Sequence, residues 1–534
     1  MKVLQKKWFL TLLSGLLLSL SWLGGYWAIL MFIAFVPLLM VEQSLTQQSN
    51  YLRKTWLYSF CTFFIWNALT IWWLAFATFW GAVFAIVGNS FLMSFVFSLY
   101  AWSRLKTRFR FSPWILIIWW LAFEFAYLRT EISFPWLHLG NVFADLPQLI
   151  QWYEFTGVAG GSLLILIVNI FVFQSITKRS LIQARFQKVY QWVGFIAMIS
   201  LFIWSWVTYS NYSDQGREVE VVVVQPNIDP YNEKFSGLTD RQQLERFLTL
   251  ASTKISHKTE LVIGPETALT EYIWENSMEN SMSVSMLRHF LSKQPKLAVI
   301  VGASTRKIFH PDEEVPPTAI QFRDTLLYLD RYNTALLIDT TPNIQIHHKS
   351  KLVLGVETMP YPKYLKFLEY LSLDLGGTVG SLGTQPSPSV FVFNDIVAAP
   401  VICYESVYGD YVAEYVRKGA NLITVITNDG WWDNTPGYKQ HLMMSRLRAI
   451  ENRRAIARSA NTGISCFINQ RGDVILPTSW WTPDAIVASV HLNKKETFYT
   501  YHGDYIGRIA GYFSLLLIIY CFSMGLIKEK SLER

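Results

Sequence analysis

A cysteine, a glutamate and a lysine each follow a predicted strand in the second half of this 534-residue sequence. Cys403 ends the apolar run 396–402 and precedes a predicted helix, a turn in which a thiol is exposed and the helix N-terminus lowers its pKa. Glu266 follows the strand-like run 261–263, and Lys349 follows 344–346. A thiol nucleophile, a carboxylate and a cationic lysine placed in this way form a candidate constellation for covalent catalysis.

The four cysteines do not resemble a disulfide framework. Cys61 and Cys521 fall within apolar spans, which leaves Cys403 and Cys466 in the more polar part of the chain. A disulfide between these two residues, or simple burial of Cys403 as a small hydrophobic side chain, would also account for the pattern. We expect a free Cys403, because a nucleophilic thiol must stay reduced.

Apolar segments near the length that crosses a bilayer, roughly 20 residues, dominate the first half of the chain. Hydrophobic residues make up 51% of the sequence, with 22 Trp and 36 Phe, which is too apolar for one soluble domain. We predict a transmembrane domain over 1–210, an extracytoplasmic domain over 218–501 and a last membrane helix over 506–526. The eight predicted spans are Trp8–Leu23, Tyr26–Met40, Trp56–Phe76, Trp80–Trp102, Pro113–Tyr127, Gly160–Phe173, Val193–Val207 and Ile506–Leu526.

Basic residues fall in alternate connections between these spans, which fixes the expected orientation. The outward connections carry only Arg129, and the seven spans before the polar domain place that domain outside the cytoplasm, with both termini inside. The formal charge of +7 is explained by the cytoplasmic segments and gives no argument for nucleic-acid binding. Glu124 is the main charge within a span, and we expect it to have a partner inside the helix bundle. The basic clusters are Lys2, Lys6 and Lys7; Arg53 and Lys54; Arg104, Lys106, Arg108 and Arg110; Lys178, Arg179, Arg185 and Lys188; and Lys528, Lys530 and Arg534.

The polar domain alternates short β-rich runs with helical segments, and runs that are apolar on both faces predict sheets covered on both sides. No phosphate loop, HExxH or CxxC motif is present, and His347 and His348 are neighbours that point in opposite directions on a strand. We therefore expect no metal and no cofactor. The predicted strands are 219–224, 261–263, 297–301, 326–328, 335–338, 390–393, 397–402, 422–426 and 464–468, and the predicted helices are 241–256, 283–292, 408–418 and 440–459.

The order Glu266, Lys349, Cys403, with the run Cys403-Tyr404-Glu405 and the later Thr-Asn-Asp-Gly-Trp-Trp at 427–432, resembles the carbon–nitrogen hydrolase (nitrilase) superfamily. With seven spans before this domain and one after it, the whole chain is similar to the apolipoprotein N-acyltransferases, the membrane-anchored family of that superfamily. Lys351 and Leu354 depart from the histidine and proline that are usual in the family. Further matches are Gln-Pro-Asn-Ile at 225–228, Pro-Glu-Thr at 265–267, Lys-x-x-Leu-Val at 349–353 and Phe-Pro-Trp at 134–136.

The resemblance implies an α-β-β-α sandwich with Cys403 as nucleophile, Glu266 as proton acceptor and Lys349 with the Tyr404 N–H as oxyanion donors. The implied reaction transfers the sn-1 acyl chain of a phospholipid, through a cysteine thioester, to the α-amino group of a diacylglyceryl-cysteine lipoprotein. Burial should raise the pKa of Glu266. The implied setting is a bacterial inner membrane with the catalytic domain on the periplasmic side, contact with membrane lipids and, we expect, a monomer.

Several residues around the three catalytic candidates also receive expected roles. Glu357 and Glu405 are expected to orient Lys349 or the acceptor amine, and the alternative for Glu357 is a surface salt bridge. The apolar segment 359–383 either forms a lid that dips into the membrane or packs as an ordinary helix. We expect substrate or lid contacts from Phe235, Tyr361, Tyr364, Phe367 and Trp431.

Two other functions fit parts of the sequence. A membrane-tethered amidase would use the same three side chains and pass the acyl group to water, although a small soluble amide needs neither a lid nor a large membrane domain. A transporter or scaffold with an inactive outer domain is opposed by the intact catalytic residues and by the scarcity of charges in the spans. Replacement of Cys403 by alanine separates these classes, since only a scaffold should tolerate it.

Overall fold

The computed structural model describes residues 2–107, 113–177, 181–323, 325–358 and 381–532. The chain divides into two compact units, and each of them is discontinuous in sequence. The first comprises Met1–Trp72, Ala82–Asn211 and His502–Arg534, and the second comprises Trp73–Gly81 and Tyr212–Tyr501.

The first unit is built from helices, because a helix satisfies every backbone hydrogen bond within its own apolar segment. In the described part of the chain, five helical segments are long and apolar enough to cross a membrane: Gly25–Leu45, Phe79–Lys106, Tyr153–Ile176, Trp192–Asn211 and Tyr505–Met524. Helices also cover the other predicted spans, but the total of eight membrane crossings stays a prediction. The unit's α-helices are α1 (Lys2–Leu20), α2 (Met31–Ala34), α3 (Val36–Leu45), α4 (Tyr51–Thr70), α6 (Phe79–Lys106), α7 (Ile115–Tyr127), α8 (Tyr153–Ile176), α9 (Leu181–Asn211) and α15 (Tyr505–Leu532), and α5 (Leu74–Ala77) belongs mainly to the second unit.

Two buried glutamates of the first unit, Glu124 and Glu42, have partners inside it. Glu124 accepts hydrogen bonds from the backbone N–H of Leu139 at 2.8 Å and from the Trp120 indole at 3.1 Å. A second buried pair joins Glu42 to Arg104, which lies in the last turn of α6. Pairing of this kind is what burial of a charge requires.

The second unit contains two β-sheets. The strands are β1 (Arg217–Gln225), β2 (Thr259–Ile263), β3 (Leu269–Trp274), β4 (Ala298–Phe309), β5 (Ile320–Gln321), β6 (Tyr328–Ile338), β7 (Gln345–His348), β8 (Phe391–Phe393), β9 (Ile396–Ile402), β10 (Leu422–Thr427), β11 (Ile456–Ala460), β12 (Cys466–Ile468), β13 (Val474–Ile475) and β14 (Asp484–Leu492). The strand order in the first sheet is β14-β1-β2-β4-β6-β5, with β3 paired to β4 and β7 to β6, and the second sheet runs β13-β12-β11-β10-β9-β8.

Side chains alternate between two cores along each central strand, as the pleat requires. In β1, Val221 and Val223 pack between the two sheets with Ile402 and Leu422 of the second sheet. Val222 and Val224 instead face the layer of α10 (Asp240–Ser252) and α11 (Met282–Ser292). Helices α12 (Gly409–Arg417) and α13 (Pro436–Asn452) cover the other sheet, and α14 (Phe498–His502) follows the last strand. The predicted α-β-β-α sandwich is thus confirmed.

The predicted helix 440–459 and the predicted strands 326–328 and 335–338 differ from the structure. The helix predicted over 440–459 ends at Asn452, because Arg453 adopts a left-handed conformation with φ 49° and ψ 49°, and the strand β11 follows. Glycine usually occupies such a position, so the arginine gives no stop signal in the sequence. The strand predicted at 335–338 is part of a longer strand, β6, whose eleven residues pair with β4, and of the strand predicted at 326–328 only Tyr328 belongs to β6.

The short segment Trp73–Gly81 connects α4 to α6 and belongs to the second unit. Trp73 is fully buried, with its ring 4.9 Å from that of Trp432 in an edge-to-face contact. Gly437 leaves room for this indole, since a Cβ there would lie 2.6 Å from Trp73 Cε3. The sandwich therefore includes a piece of chain that precedes it by more than a hundred residues.

Candidate active site

Glu266, Lys349 and Cys403 meet in one pocket at the ends of three strands. Glu266 follows β2, Lys349 follows β7 of the same sheet, and Cys403 follows β9 of the facing sheet. The side chains of Glu357, Phe235 and Trp431 line the same pocket. Tyr404 and Glu405 are both buried beside it in the 3-10 turn Cys403–Val407.

Lys349 is held between two carboxylates. Its Nζ donates to Glu266 Oε1 at 2.9 Å and to Glu357 Oε1 at 2.8 Å, and only 1% of its side chain is exposed. Glu357 in turn accepts from the backbone N–H of Val353 through its other oxygen, at 2.8 Å. Glu357 therefore makes a nearly buried ion pair inside the pocket rather than a surface salt bridge.

Asn333 on β6 is a site residue that the sequence did not reveal. Its Nδ2 donates to Glu266 Oε1 at 2.8 Å and to Glu357 Oε1 at 2.9 Å, and its backbone carbonyl accepts from the N–H of Lys349 at 2.8 Å. One residue thus fixes both carboxylates and the start of the lysine loop. A polar residue just before the apolar run 335–338 is the only sequence signal for it.

The expected rise in the pKa of Glu266 is not found. Burial does raise it, but the charge of Lys349, the hydrogen bonds from Lys349 and Asn333 and the charge of Lys234 together lower the pKa of Glu266 below its ordinary 4.5. Burial is the largest single influence on the pKa of Lys349 and lowers it, but the charges of Glu266, Glu357 and Cys403, with the hydrogen bond to Glu266, together raise this pKa well above its ordinary value. The resting pair is therefore a carboxylate and an ammonium group, a charge state in which Glu266 can accept a proton.

Cys403 lies in the left-handed region of the backbone, with φ 48°, and is 7% exposed. The sequence suggested that a helix N-terminus lowers the thiol pKa, and this is wrong. Burial, followed by the negative charge of Glu266, raises the pKa of Cys403 well above its usual range. The thiol thus needs a base. Cys403 and Cys466 are both free, so the disulfide alternative is not formed.

Glu405 links the lysine loop to the cysteine turn. One carboxylate oxygen accepts from the Ser350 N–H at 2.7 Å, and the other accepts from the Ile402 N–H at 2.9 Å. The side chain is fully buried, and burial raises the pKa of Glu405. The charge of His347 and these hydrogen bonds outweigh burial and lower the pKa below its usual value. Glu405 is thus placed to position Lys349 through the backbone of its loop.

The aromatic candidates are only partly described by the structure. Phe235 stacks on Trp431 with ring centroids 6.4 Å apart and planes inclined by 18°, and Ala77 lines the same pocket. Tyr231 meets Trp431 edge-to-face and donates to its carbonyl oxygen at 3.0 Å. Tyr361, Tyr364 and Phe367 lie outside the described residues, so their expected lid role stays a prediction.

Lys234, next to Phe235, was also missed. It is 3% exposed, and its Nζ donates to the Thr267 hydroxyl at 2.5 Å and to the Glu266 carbonyl oxygen at 3.3 Å. Burial lowers the pKa of Lys234 to about 8. This residue places a second positive charge near Glu266, in addition to that of Lys349.

Asp429, His441 and Arg458 form a buried polar cluster next to Cys403. Donor atoms of Cys403, Asp429 and His441 lie within 4.8 Å of one another, a spacing that a metal ion can bridge. Arg458 already pairs with Asp429 through Nη2 at 2.6 Å and lies 3.2 Å from His441 Nδ1. A guanidinium cation at this place disfavours a metal cation beside it.

Two family models match different parts of the chain. Residues 221–498 match the carbon-nitrogen hydrolase family model, and residues 14–171 match the apolipoprotein N-acyltransferase N-terminal domain. The chain is 30% identical to the apolipoprotein N-acyltransferase of Chlorobaculum tepidum over 95% of both chains, and 26% identical to apolipoprotein N-acyltransferase 1 of Treponema denticola over 79% of this chain and 80% of that one.

Among solved structures, an amidase of the nitrilase superfamily from Nesterenkonia covers 55% of this chain and 97% of its own, with a TM-score of 0.37 and 16% identity. The assignment rests on the family matches and on the nearly full-length relative. The chain belongs to the apolipoprotein N-acyltransferase family, within the carbon–nitrogen hydrolases.

Proposed function

We propose that Cys403, Glu266 and Lys349 transfer the sn-1 acyl chain of a phospholipid to the α-amino group of a diacylglyceryl-cysteine lipoprotein. The observation that carries this proposal is the contact of Lys349 Nζ with both Glu266 and Glu357 in the pocket that Cys403 lines. It places a base, a cation and a nucleophile around one small space. No cofactor is needed for this chemistry.

In the first half-reaction, Glu266 accepts the thiol proton as the sulfur of Cys403 attacks the ester carbonyl. The charge that develops on the carbonyl oxygen is stabilised by Lys349 and the Tyr404 N–H, each donor contributing about 3 kcal/mol. The ester C–O bond then breaks, and Glu266 returns the proton to the leaving alkoxide. The products are a lysophospholipid and a Cys403 thioester.

In the second half-reaction, the neutral amine of the lipoprotein attacks the thioester carbonyl. Glu266 again accepts the proton, an amide forms, and the thiolate of Cys403 leaves and is reprotonated. The depressed pKa of Glu266 keeps it in the accepting form at the start of each half-reaction. The scheme is ping-pong, as a covalent intermediate implies.

The setting we infer is the periplasmic side of a bacterial inner membrane, with a monomeric, multi-pass chain. The support is the placement of basic residues in alternate connections of the sequence. A membrane site is where both a phospholipid donor and a lipid-modified acceptor reside. The aromatic pair of Phe235 and Trp431 at the pocket suits an acyl chain better than a small soluble amide.

The test is intact-protein mass spectrometry after the purified chain is incubated with a phospholipid and no acceptor. We expect a mass gain of one acyl chain that hydroxylamine removes and that is absent in Cys403→Ser. Addition of a diacylglyceryl-cysteine peptide should then discharge the adduct and yield an N-acylated peptide.

The other outcomes discriminate between functions. Accumulation of free fatty acid without discharge to the peptide would favour an amidase-like hydrolase. The absence of both adduct and fatty acid in a folded sample would show that a phospholipid is not the donor, and the proposal would fail.

A further inference from the structure

The cluster behind Cys403 holds the carbonyl group of the nucleophile itself. His441 Nε2 lies 3.1 Å from the carbonyl oxygen of Cys403, and the hydroxyl of Ser406 lies 2.8 Å from the same oxygen. His441 and Ser406 are fully buried, and they lie 2.9 Å from each other. Two polar side chains thus converge on a single backbone oxygen.

The orientation of the His441 ring is fixed from its other side. Nδ1 lies 2.9 Å from Asp429 Oδ1, and Asp429 also accepts from Arg458 at 2.6 Å and from the Thr427 hydroxyl at 2.7 Å. Although burial raises it, the charges of Arg458 and His441 lower the pKa of Asp429 to about 2. The Asp429 carboxylate accepts from Nδ1 and the Cys403 carbonyl oxygen can only accept from Nε2, so this arrangement has a proton on each ring nitrogen and aims the Nε2 proton at the cysteine.

The carbonyl of Cys403 matters because it shares a rigid plane with the N–H of Tyr404. A trans peptide unit is planar, so its C=O and N–H point in opposite directions. A hydrogen bond that holds the Cys403 oxygen toward His441 therefore aims the Tyr404 N–H away from it. That N–H is one of the two oxyanion donors in the proposed function.

The backbone of Cys403 needs such support. Its φ of 48° is a conformation that non-glycine residues seldom adopt and that persists only where surrounding contacts impose it. The left-handed turn also directs the thiol out of the end of β9. Release of the carbonyl would let the turn relax and would move the thiol and the Tyr404 N–H together.

We propose that His441 is a positioning residue: it donates from Nε2 to the Cys403 carbonyl and thereby sets both the nucleophile and the backbone oxyanion donor. Asp429 and Arg458 orient the ring. The side chains of His441, Asp429 and Arg458 do not need to touch substrate. This inference rests on the proposed acyl transfer for the role of Tyr404, but the orientation of the thiol does not depend on the identity of the donor.

The experiment compares His441→Leu and His441→Gln in the full-length chain. Glutamine can place an amide donor near the position of Nε2, whereas leucine fills the space without a donor. The matched control is Asn421→Ala, because Asn421 is also fully buried and bonds the start of β9, the strand that Cys403 follows. Its Oδ1 accepts from the Val397 N–H at 2.9 Å, and its Nδ2 donates to the Asp395 carbonyl oxygen at 2.8 Å.

Two rates are measured for each variant: thioester formation from phospholipid, and alkylation of Cys403 by iodoacetamide, both by intact mass. We expect His441→Leu to slow thioester formation by about 100-fold, the size seen when one oxyanion donor is lost, with the KM for phospholipid unchanged. Alkylation should change less, because it uses the thiol but not the oxyanion donor. His441→Gln should recover most of the loss.

Apparent melting temperatures separate positioning from folding. Asn421→Ala should lower the melting temperature as much as His441→Leu does and yet form the thioester at nearly the parental rate. The proposal is overturned if His441→Leu forms the thioester as fast as Asn421→Ala, or if glutamine recovers nothing. If the parental chain takes up no acyl group at all, the proposed function fails, while the alkylation rates still report whether His441 orients the thiol.

Discussion

Glu266 shows how several partners together decide a charge state. Burial alone would raise the pKa of a carboxylate, which is the direction expected for Glu266 before its partners are known. The hydrogen bond from Asn333 and the charges of Lys349 and Lys234 reverse the direction, so the pKa of Glu266 is lowered. These partners are 32 to 83 residues away in the chain, which is why the sequence alone could not reveal the reversal.

Replacement of Asn333 by leucine should release the Glu266 carboxylate from its position and raise its pKa. A lost hydrogen bond to a charged group corresponds to roughly 2 kcal/mol, so we expect misplacement of Glu266 to slow thioester formation at pH 7 by up to about 30-fold. The pH dependence should change as well. The parental activity is present above the depressed pKa of Glu266 and is lost as pH falls through it, so removal of Asn333 should move that acidic limb to higher pH.

The measurement is the rate of thioester formation between pH 4 and 8 for the parental chain and Asn333→Leu. Asn276→Leu is a suitable control. Asn276 accepts from the Ile308 N–H on β4, in the sheet that also contains Asn333, but it is exposed and lies outside the pocket that Cys403 lines. An unchanged acidic limb in Asn333→Leu would contradict the role assigned to this side chain.

Other residue assignments came directly from the sequence. Glu266, Lys349 and Cys403 lie together as their positions after three strands suggested, because strand ends at one edge of a layered fold converge. Their catalytic roles stay a prediction. His441 and Arg458 escaped notice because one lies on a helix with little amphipathic pattern and the other lies on a strand, β11, that was predicted as helix.

At the scale of elements, strand β4 is packed against the Glu266 turn so closely that only glycine fits between them. A Cβ at Gly302 would lie 2.5 Å from the backbone nitrogen of Thr267 and 2.6 Å from the Cα of Glu266. Gly302 also donates from its backbone to the Pro265 carbonyl at 3.1 Å. The base is thus positioned by backbone contact between two elements as well as by its side-chain partners.

Gly302→Ala should displace the Glu266 turn. We expect a destabilisation of about 1–3 kcal/mol from overpacking, together with a loss of thioester formation larger than the change in stability explains. Apparent melting temperature and the rate of thioester formation give the two quantities. Gly88→Ala is the matched control, since a Cβ at Gly88 meets nothing within 4 Å, and it should leave both unchanged. Equal behaviour of the two variants would refute the close-contact argument.

Most strands could be predicted because a short run that is apolar on both faces, within a polar domain, fits a buried strand better than a helix or a loop. The exceptions have local causes. β14 carries Ser489 and His491 among its apolar residues and lies at the edge of its sheet order, where one side lacks a neighbour and polar residues are tolerated. The end of α13 was not predicted, because Arg453 adopts a left-handed backbone conformation that an arginine in the sequence does not indicate.

At the scale of the whole molecule, the orientation inferred from basic residues can be tested with fusions. Alkaline phosphatase joined after Asn211 should be active, because seven spans carry it outside the cytoplasm, and the same enzyme joined after Thr177 should be inactive. A reporter that is active only in the cytoplasm should be inactive after Asn211 and active after Thr177. Activity of both phosphatase fusions, or of the Thr177 fusion alone, would show that the predicted number of crossings is wrong.

The segment Trp73–Gly81 gives the sandwich a component that no contiguous excision of the catalytic region would include. A fragment cut at Tyr212 and Tyr501 would lack Trp73, and the face of Trp432 that it covers would become exposed to water. The same fragment would lose Ala77 from the pocket that Cys403 lines. The second unit therefore cannot be excised as one contiguous fragment: its buried interior includes a peptide that lies between α4 and α6 in the sequence, so its integrity depends on the intact chain.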